Sequence, residues 1–432
     1  MIAVLILALA VNEVGDPCRA VLEADVNRDH VVNSLDLIDV MLCLGELGCD
    51  EADVNRDGAV DADDLAALLE QFGQDDNVCN WIDICTVQDL DAIRDNLNGN
   101  YRLACDLDME LADPAGWTPI GTQLYPFAGV LYGSGAPIIN FSVQQTETAG
   151  LFAWIAGAWI RDVFMIGADV TGGDFAGILA GYAVGGSRIE GCGVEGSIVG
   201  RSYVGGLLGE VRSSSILDCR AQVNVVSQGG QEYWTGGLVG RCYGSTVVRG
   251  SWSTGTVFSV WRDAGGLIGQ LNGGTVERCW SDASVVHARG GSGGLIGVIL
   301  GGAEVFDSYA WGSVVADEDS PSIWCGGLIG AAFSSTVRRC YAAGVVNEGV
   351  TQEGFGGFIG RNFSSLVDDH WDAQVSGLYL GCGGGDCHGA EGHSTAEMGD
   401  PSTFAGWDFD QVWTIEDGYP QLQIGVPGIA PE

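Results

Sequence analysis

The chain has 432 residues and a formal net charge of −39, from 57 acidic and 18 basic residues, and every basic residue is an arginine. Nucleic acids and anionic membranes are bound through basic surfaces, so this charge argues against both as partners. Apolar residues make up 46% of the chain, which excludes a disordered protein and allows a large hydrophobic core.

Residues 1–10 are predicted to be a signal peptide. Residues 2–10 form an apolar run that ends in Ala8-Leu9-Ala10, a small-x-small cleavage pattern, and a short buried strand is the alternative. No later run reaches the roughly 18 apolar residues that span a bilayer, so no integral membrane segment is predicted. We therefore expect a protein that is secreted or held at the cell surface, where disulfides form.

Residues 11–78 contain two acidic 12-residue segments, which begin 28 residues apart at Asp25 and Asp53. Each places side-chain oxygens at loop positions 1, 3, 5, 9 and 12 and a backbone carbonyl at position 7, a spacing that wraps a loop around calcium. An apolar helical pattern follows each segment, and two acidic helices without metal are the alternative. The predicted calcium ligands are Asp25, Asn27, Asp29, Val31, Asn33, Asp36, Asp53, Asn55, Asp57, Ala59, Asp61 and Asp64.

This pair of segments resembles the dockerin module, in which each of two calcium loops is followed by one helix. The resemblance implies a small all-α domain over residues 11–78, calcium as its cofactor and a cohesin-like protein as its partner. Dockerins that bind cohesins typically carry a Ser/Thr pair at loop positions 10 and 11, where this sequence has Ser34-Leu35 and Ala62-Asp63. A stand-alone module stabilised by calcium is therefore the alternative.

Residues 79–148 are predicted to form a capping helix and the first coils of a solenoid. Thr86 suits the N-cap of a helix whose apolar residues Leu90, Ile93 and Leu97 share one face. Such a helix can cover an open end coil, whose strand edges would otherwise pair with other chains. The alternating apolar residues that follow it predict strands.

Residues 149–376 repeat a phrase of the form Gly-Gly-Leu-Ile-Gly about every 30 residues. A fixed period of this length is typical of a stacked array, in which each unit buries its apolar face only against its neighbours. We expect the glycine pair to turn the chain with positive φ and to let the coils pack closely. The phrase begins at Gly205, Gly236, Gly265, Gly293, Gly326 and Gly356, and more loosely at Ala149 and Ala176.

These phrases resemble the GLUG motif, which is found in bacterial secreted and surface proteins. The motif is structural, so the resemblance supplies no catalytic residue. Together with the period, it predicts a mainly β fold, a right-handed parallel β-solenoid of about 30-residue repeats over residues 149–376. Residues 377–432 are predicted to be a Trp-rich C-terminal cap and tail.

Each repeat also carries an apolar residue three positions before a small or polar one. Because a straight strand buries every second residue, a step of three predicts a bend or bulge. Equivalent residues of stacked coils lie about 4.8 Å apart, so cysteines two coils apart cannot form a disulfide, and we predict that Cys279 and Cys340 are buried and reduced. The pairs are Ile189/Cys192, Ile216/Cys219, Val248/Ser251, Val276/Cys279, Val305/Ser308, Val337/Cys340 and Val367/His370.

An aromatic row beside these pairs has two interpretations. Stacked rings on a regular sheet can form a sugar-binding strip, or they can be part of a packed core, which is the preferred interpretation. The row consists of Trp252, Trp280, Tyr309, Tyr341 and Trp371.

The sequence contains no familiar catalytic motif. The sequence has no His-Glu-x-x-His and no Gly-x-Ser-x-Gly in a strand-to-helix context. A zinc site is one interpretation of a cluster near the C-terminus, although a disulfide between its two cysteines is preferred in a secreted chain. This cysteine and histidine cluster consists of Cys382, Cys387, His388 and His393.

Acidic runs at residues 317–319 and 368–369 are interpreted as solvated turns.

We predict from these patterns a secreted, non-catalytic repeat protein that acts in extracellular adhesion or in carbohydrate or protein binding. Its ligand would be a cell-surface glycan or protein. One alternative is a polysaccharide lyase or glycoside hydrolase on the same β-helix, which converging carboxylates or arginines in a cleft would favour. A second alternative is a cohesin-docked subunit of an extracellular complex.

Overall fold

A computed structural model of the chain divides it into two compact units, Met1–Trp81 and Ile82–Glu432. The predicted signal peptide lies outside the residues that the structure describes. Those residues are 26, 32, 34–43, 52, 54, 60, 62–71, 79–111, 116–229, 233–260, 262–287, 290–316, 323–347 and 353–423.

The first unit contains two helices that begin 28 residues apart. They span Ser34–Cys43 and Ala62–Gln71 and contact each other. Buried apolar residues repeat at the same interval, as in Val40 and Leu68, which are fully buried. These helices alone do not establish the all-α calcium-binding domain predicted over residues 11–78, because most of that range lies outside the described residues.

The second unit is a parallel β-solenoid of about nine turns, so the predicted mainly β solenoid is confirmed. Within the described part of the chain, each full coil places one strand or a pair of strands in each of three parallel sheets. The chain passes from sheet 3 through a glycine corner into sheet 1, and then around a second corner into sheet 2. The right-handed sense of the coil stays a prediction.

Sheet 1 has 17 strands among the described residues and is the longest of the three sheets. In most coils it receives two short strands, which merge into one long strand in the last two coils. The strands are Ile82–Ile84, Asn100–Leu103, Val130–Tyr132, Phe152–Ala156, Trp159–Arg161, Ala180–Val184, Arg188–Glu190, Leu208–Arg212, Ser215–Leu217, Val239–Tyr243, Val247–Arg249, Ile268–Asn272, Thr275–Glu277, Ile296–Leu300, Glu304–Phe306, Ile329–Arg338 and Ile359–Val367.

Sheets 2 and 3 complete the coils, with 13 and 8 strands in the described ranges. The strands of sheet 2 are Leu107–Asp108, Ile138–Ile139, Ser142–Gln144, Phe164–Thr171, Gly193–Gly200, Arg220–Ser227, Trp252–Ser259, Trp280–His287, Tyr309–Ala310, Val314–Ala316, Tyr341–Ala342, Asp369–Asp372 and Ala390–His393. The strands of sheet 3 are Thr148–Ala149, Phe175–Ala176, Tyr203–Gly205, Trp234–Gly236, Asp263–Gly265, Gly290–Gly293, Ile323–Gly326 and Phe355–Gly356.

The glycine pair is needed for close approach rather than for an unusual backbone angle. Neither Gly265 nor Gly266 has positive φ, so that part of the prediction is wrong. A Cβ on Gly265 would lie 2.0 Å from the carbonyl oxygen of Ile268, and one on Gly266 would lie 2.0 Å from that of Gly294 in the next coil. The predicted close packing is therefore confirmed, since only a residue without a side chain fits the corner.

The residue after each glycine pair fills the core. These side chains are fully buried, and equivalent residues follow one another from coil to coil. Each coil thus covers the apolar side chain of its neighbour, which is how a solenoid acquires a continuous core. The residues are Leu207, Leu238, Leu267, Leu295, Leu328 and Phe358.

The second corner, between sheets 1 and 2, confirms the bend predicted from the three-residue step. One residue per coil adopts a left-handed conformation there, with φ between 48° and 60°. The last pair was misplaced by one residue, because Leu366, not Val367, lies in register with Val337. These left-handed residues are Asp162, Gly191, Asp218, Gly250, Arg278, Asp307, Arg339 and Asp368.

The cysteines inside the solenoid are free and buried, as predicted for Cys279 and Cys340. Burial raises the pKa of the Cys279 thiol to about 12, so the reactive thiolate is absent at neutral pH. Disulfides join Cys85 to Cys105 and Cys382 to Cys387. The second of these confirms the preferred interpretation and removes both thiolates from the zinc alternative.

Both ends of the solenoid carry short helices. The predicted first helix spans Val87–Asp91, with Thr86 as its N-cap in a capping box, and continues as a 3-10 helix over Ala92–Asp95. Another 3-10 turn spans Met109–Leu111. No helix among the described residues is long and apolar enough to cross a membrane.

The C-terminal cap folds over sheet 2. It contains the helix Thr395–Met398, the 3-10 helix Pro401–Thr403 and an antiparallel pair of strands, Trp413–Glu416 and Tyr419–Leu422. Its apolar side chains form one buried cluster with rings of sheet 2. The cluster includes Tyr309, Tyr341, Met398, Phe404, Trp407, Val412 and Trp413.

Candidate functional site

The predicted aromatic row on sheet 2 is a structural stack. The Trp252 and Trp280 ring centroids lie 4.9 Å apart with 9° between their planes, and those of Tyr309 and Tyr341 lie 5.1 Å apart with 11°. Near-parallel rings cover each other's faces, and the C-terminal cap buries Tyr309 and Tyr341. The packed-core interpretation therefore suits this row better than a sugar-binding strip.

The last member of that row is His370 rather than Trp371. Register places His370 beside Tyr341, whereas Trp371 belongs to the core and donates its indole N–H to the carbonyl of Leu378 at 3.1 Å. The Nδ1 atom of His370 lies 3.0 Å from Nε2 of His393. Burial, together with the neighbouring His393, lowers the pKa of His370 to about 4, so this imidazole is neutral at neutral pH.

The acidic run at residues 368–369 is not a solvated turn. Asp369 is fully buried and accepts backbone N–H groups from Cys340 at 2.9 Å and Val367 at 3.1 Å. Burial raises the pKa of this carboxyl, and its contacts hold the second corner of the last coils together. The other predicted run, residues 317–319, lies outside the described residues.

A second set of rings and polar groups lies beside the glycine corner and is the candidate functional site. In four successive coils, an outward residue of sheet 3 and one of sheet 1 stand seven positions apart with the glycine pair between them. Register stacks the members of each column from coil to coil. We call this set the seam, and it consists of Phe175/Tyr182, Tyr203/Glu210, Trp234/Arg241 and Asp263/Gln270.

The two columns of the seam face each other across the corner. The rings of Phe175 and Tyr182 meet edge to face with centroids 5.4 Å apart. Two coils further along the solenoid, the guanidinium carbon of Arg241 lies 4.6 Å from the centroid of the Trp234 ring. This approach depends on the glycines, because side chains in the corner would hold the two sheets apart.

Aromatic rings also follow the seam lengthwise. Tyr203 stacks on Phe175 at 4.8 Å and lies 5.1 Å from Trp234, whose plane is tilted by 34°. Trp154, from the coil before, lies 4.1 Å from Tyr182. Charged and amide groups lie beside these rings, as in Arg241 over Trp234.

A polar network connects neighbouring side chains on the sheet 1 side of the seam. Arg241 donates through Nε to Oε1 of Gln270 at 3.0 Å, and its Nη1 lies 3.8 Å from Oε2 of Glu210. Three coils are thereby linked by planar side chains. Their hydrogen-bonding groups have fixed positions before any ligand arrives, which lowers the entropy lost on binding.

Asp263 supplies the carboxyl group on the sheet 3 side of the seam. Its Oδ2 accepts the indole N–H of Trp234 at 3.1 Å, and its Oδ1 accepts the backbone N–H of Gly291 at 3.0 Å. Desolvation raises the pKa of this carboxyl to about 6, although both hydrogen bonds and Arg262 act in the opposite direction. A carboxyl with such a pKa can gain or lose a proton near neutral pH.

The predicted calcium ligands are mostly outside the described residues. Asp36 and Asp64 are fully buried, in the first turns of the two helices of the first unit. The remaining ten, Asp25, Asn27, Asp29, Val31, Asn33, Asp53, Asn55, Asp57, Ala59 and Asp61, are not described.

The seam itself was missed in the sequence. Its signal is the seven-residue spacing across each Gly-Gly phrase, which places a ring, a charge or an amide on both sides of the corner. The spacing is regular, but the residue types change from coil to coil, so that no motif is repeated.

No protein-family model matches the chain. A protein of Evansella cellulosilytica, provisionally named a Gly-rich membrane protein, is 38% identical over 130 residues, which cover 28% of this chain and 14% of that protein. Halomucin of Haloquadratum walsbyi is 31% identical over 246 residues, which cover 53% of this chain and 3% of halomucin. The chain thus spans a small part of either relative, and the GLUG and dockerin resemblances stay predictions.

The chain is similar to two solved structures, at low similarity. One is provisionally named an immunoglobulin A1 protease, from Bacteroides ovatus, with a TM-score of 0.46 and 20% identity, covering 79% of this chain and 91% of that one. The other is named IgA1 protease, with a TM-score of 0.46 and 18% identity, covering 67% and 21%.

These names correct the prediction that the chain is not an enzyme, because both are names of enzymes. The physical reason for the error is general. A solenoid assembles neighbouring side chains from coils about 30 residues apart, so a catalytic group on such a scaffold leaves no short linear motif. The absence of familiar motifs therefore does not exclude catalysis on this scaffold.

Proposed function

We propose that the chain is an extracellular glycan-binding protein and that the seam is its binding surface. The observation that supports this most is the concentration of aromatic rings and planar hydrogen-bonding groups along one line of the solenoid. Sugar rings present apolar C–H faces and rows of hydroxyl groups. Tyrosine and tryptophan contact the former, while carboxylate, amide and guanidinium groups bind the latter.

The repetition along the axis suits a polymer. Successive coils offer equivalent positions about 4.8 Å apart, so a polysaccharide lying along the seam would meet several similar contacts at once. Weak contacts that act together on one chain give an affinity that no single contact provides.

The first experiment measures binding of the full chain to an array of extracellular polysaccharides, followed by titration of the ligands found. We expect Tyr203→Ala to weaken binding at least tenfold, since this partly buried ring lies at the centre of the seam. Phe306→Ala is the matched control, because Phe306 is also a partly buried ring beneath an arginine but lies on the other part of sheet 1. Absence of any glycan ligand, or equal losses in both variants, would contradict the proposal.

Cleavage of the bound glycan is a second candidate function, and the pKa of Asp263 favours it. A carboxyl group with a pKa of about 6 is suited to donate a proton to a glycosidic oxygen, and Glu210 supplies another carboxylate on the seam. Assay of the same incubations for new reducing ends tests this function. A turnover that Asp263→Asn does not reduce would exclude the role of this carboxyl.

We also propose that the first unit is a dockerin-like module that binds calcium. Its helices and buried residues recur at the 28-residue interval of the two acidic segments, and Asp36 and Asp64 supply buried carboxylates of the hard, anionic kind that calcium prefers. Calcium bound there would hold each segment against the start of its helix.

Calcium should therefore raise the unfolding temperature of the first unit in calorimetry of the full chain. At a concentration 100-fold above the dissociation constant, binding would add about 2.7 kcal/mol. Asp64→Asn should reduce the shift, whereas Asp63→Asn, which changes an exposed neighbour, should leave it. An unchanged transition after addition of calcium or of a chelator would remove the metal from the proposal.

A further inference from the structure

Three arginines from three successive coils converge on Trp234 of the seam and on Tyr243, which lies beside it. The guanidinium carbons of Arg212 and Arg241 lie 5.0 Å and 5.1 Å from the Tyr243 centroid. Those of Arg241 and Arg262 lie 4.6 Å and 6.0 Å from the Trp234 centroid. Two rings thus hold three cations along the same stretch of the solenoid.

This concentration of positive charge contrasts with the rest of the protein. The chain has 18 arginines, no lysine and a net charge of −39, so three arginines on two neighbouring rings are an unusual local concentration of positive charge. Among the described residues, no ion pair within 4 Å joins Arg212 or Arg262 to a carboxylate. Both side chains belong to exposed residues.

Two carboxylates accompany the three arginines. Asp263 accepts hydrogen bonds from Trp234 and Gly291 and interacts electrostatically with Arg262, and Glu210 forms an ion pair with Arg241 at 3.8 Å. The arginines thus outnumber the carboxylates at this place. Arg241 donates a hydrogen bond to Gln270 through Nε, which does not occupy its two terminal nitrogens.

Guanidinium groups are well suited to anions on a ligand. Their planar donors match the two oxygens of a carboxylate or a sulfate, and stacking on an aromatic ring fixes their orientation without using those donors. In an acidic chain, such a cluster would also be the place where a polyanion is least repelled.

We propose that the seam selects acidic glycans, with carboxylate or sulfate groups of the polysaccharide bound by Arg212, Arg241 and Arg262. This inference rests on the proposed glycan-binding function and names the class of ligand. The rings contact the sugar faces, while the arginines distinguish charged polymers from neutral ones.

The test titrates the full chain with three polymers: polygalacturonate, which carries carboxylates, dextran sulfate, and neutral dextran. We expect at least one acidic polymer to bind at least tenfold more tightly than neutral dextran. Whichever acidic polymer binds more tightly shows whether the preferred anion is a carboxylate or a sulfate. Arg241→Gln and the exposed Arg212→Gln should each remove at least fivefold of that preference. Arg338→Gln is the matched control, because Arg338 lies 4.4 Å over the Phe306 ring, away from the seam.

The possible failures are distinguishable. Equal affinity for neutral and acidic polymers, or an equal loss in Arg338→Gln, would overturn the selection of acidic glycans while the glycan-binding function stood. Binding of none of these polymers, together with an empty polysaccharide array, would overturn both. Retention of the preference by Arg212→Gln and Arg241→Gln, with the fold intact by circular dichroism, would also overturn the inference.

Discussion

Gly266→Ala is expected to lower the free energy of unfolding by about 3 kcal/mol or more, which is large for the addition of one methyl group. The new Cβ would lie 2.0 Å from the carbonyl oxygen of Gly294 and 2.3 Å from Oγ of Ser281. The serine can rotate away, but the carbonyl belongs to the backbone of the next coil. Relief of the clash therefore requires the two coils to separate, and with them the buried leucines that follow each glycine pair.

Gly384→Ala is the matched control for this change. A Cβ at Gly384 would meet no atom within 4 Å, and the backbone there does not require positive φ. We expect its thermal and urea midpoints to stay within experimental error of the unsubstituted chain, whereas those of Gly266→Ala should fall clearly. Equal midpoints for both variants would mean that the glycine corner can open without loss of stability.

Trp413→Ala is expected to cost about 3–5 kcal/mol and to release the C-terminal cap from sheet 2. Trp413 is fully buried and lies 4.5 Å from the Trp407 ring and about 6 Å from those of Tyr309 and Tyr341. Removal of the indole leaves a cavity between the cap and the stacked rings. Limited proteolysis should then cut within residues 394–423 before the solenoid unfolds.

Trp413→Phe separates the packing effect from the indole N–H. That N–H is buried without a hydrogen-bond partner, so its removal should cost little, and the phenyl ring keeps most of the contacts. We expect the Phe variant to resist proteolysis nearly as well as the unsubstituted chain. If the Phe and Ala variants were cut equally fast, packing of this side chain would not be what holds the cap.

The repeat period carried most of the information on the fold. Because Gly266 and its equivalents recur about every 30 residues, the sequence indicated stacked coils, the positions of the corners and the buried, reduced state of Cys279. It did not separate two roles of glycine, positive φ and the absence of a Cβ. Both roles require a glycine, so the sequence looks the same in either case. Only the backbone angles and the distances between coils distinguish them.

The outer surface was harder to predict than the core. Trp371 was assigned to the aromatic row because the spacing in the last coil shifts by one residue, which moves His370 into the row and Trp371 into the core. The pairing of Trp234 with Arg241 depends on how sharply the chain folds back at the corner. Neither the one-residue shift nor the sharpness of the corner follows from the pattern of apolar residues. That pattern indicates only which side chains of each strand point inward.

The glycine corner has a consequence for how the length of this protein could change. Each corner is complete within one coil and its neighbour, so duplication of a DNA segment of about 90 base pairs would insert a working coil without disturbing the others. Every such duplication would also bring a new pair of residues to the seam and extend it by about 4.8 Å. Ligand length could then be matched by recombination alone, with no point mutation in the existing coils.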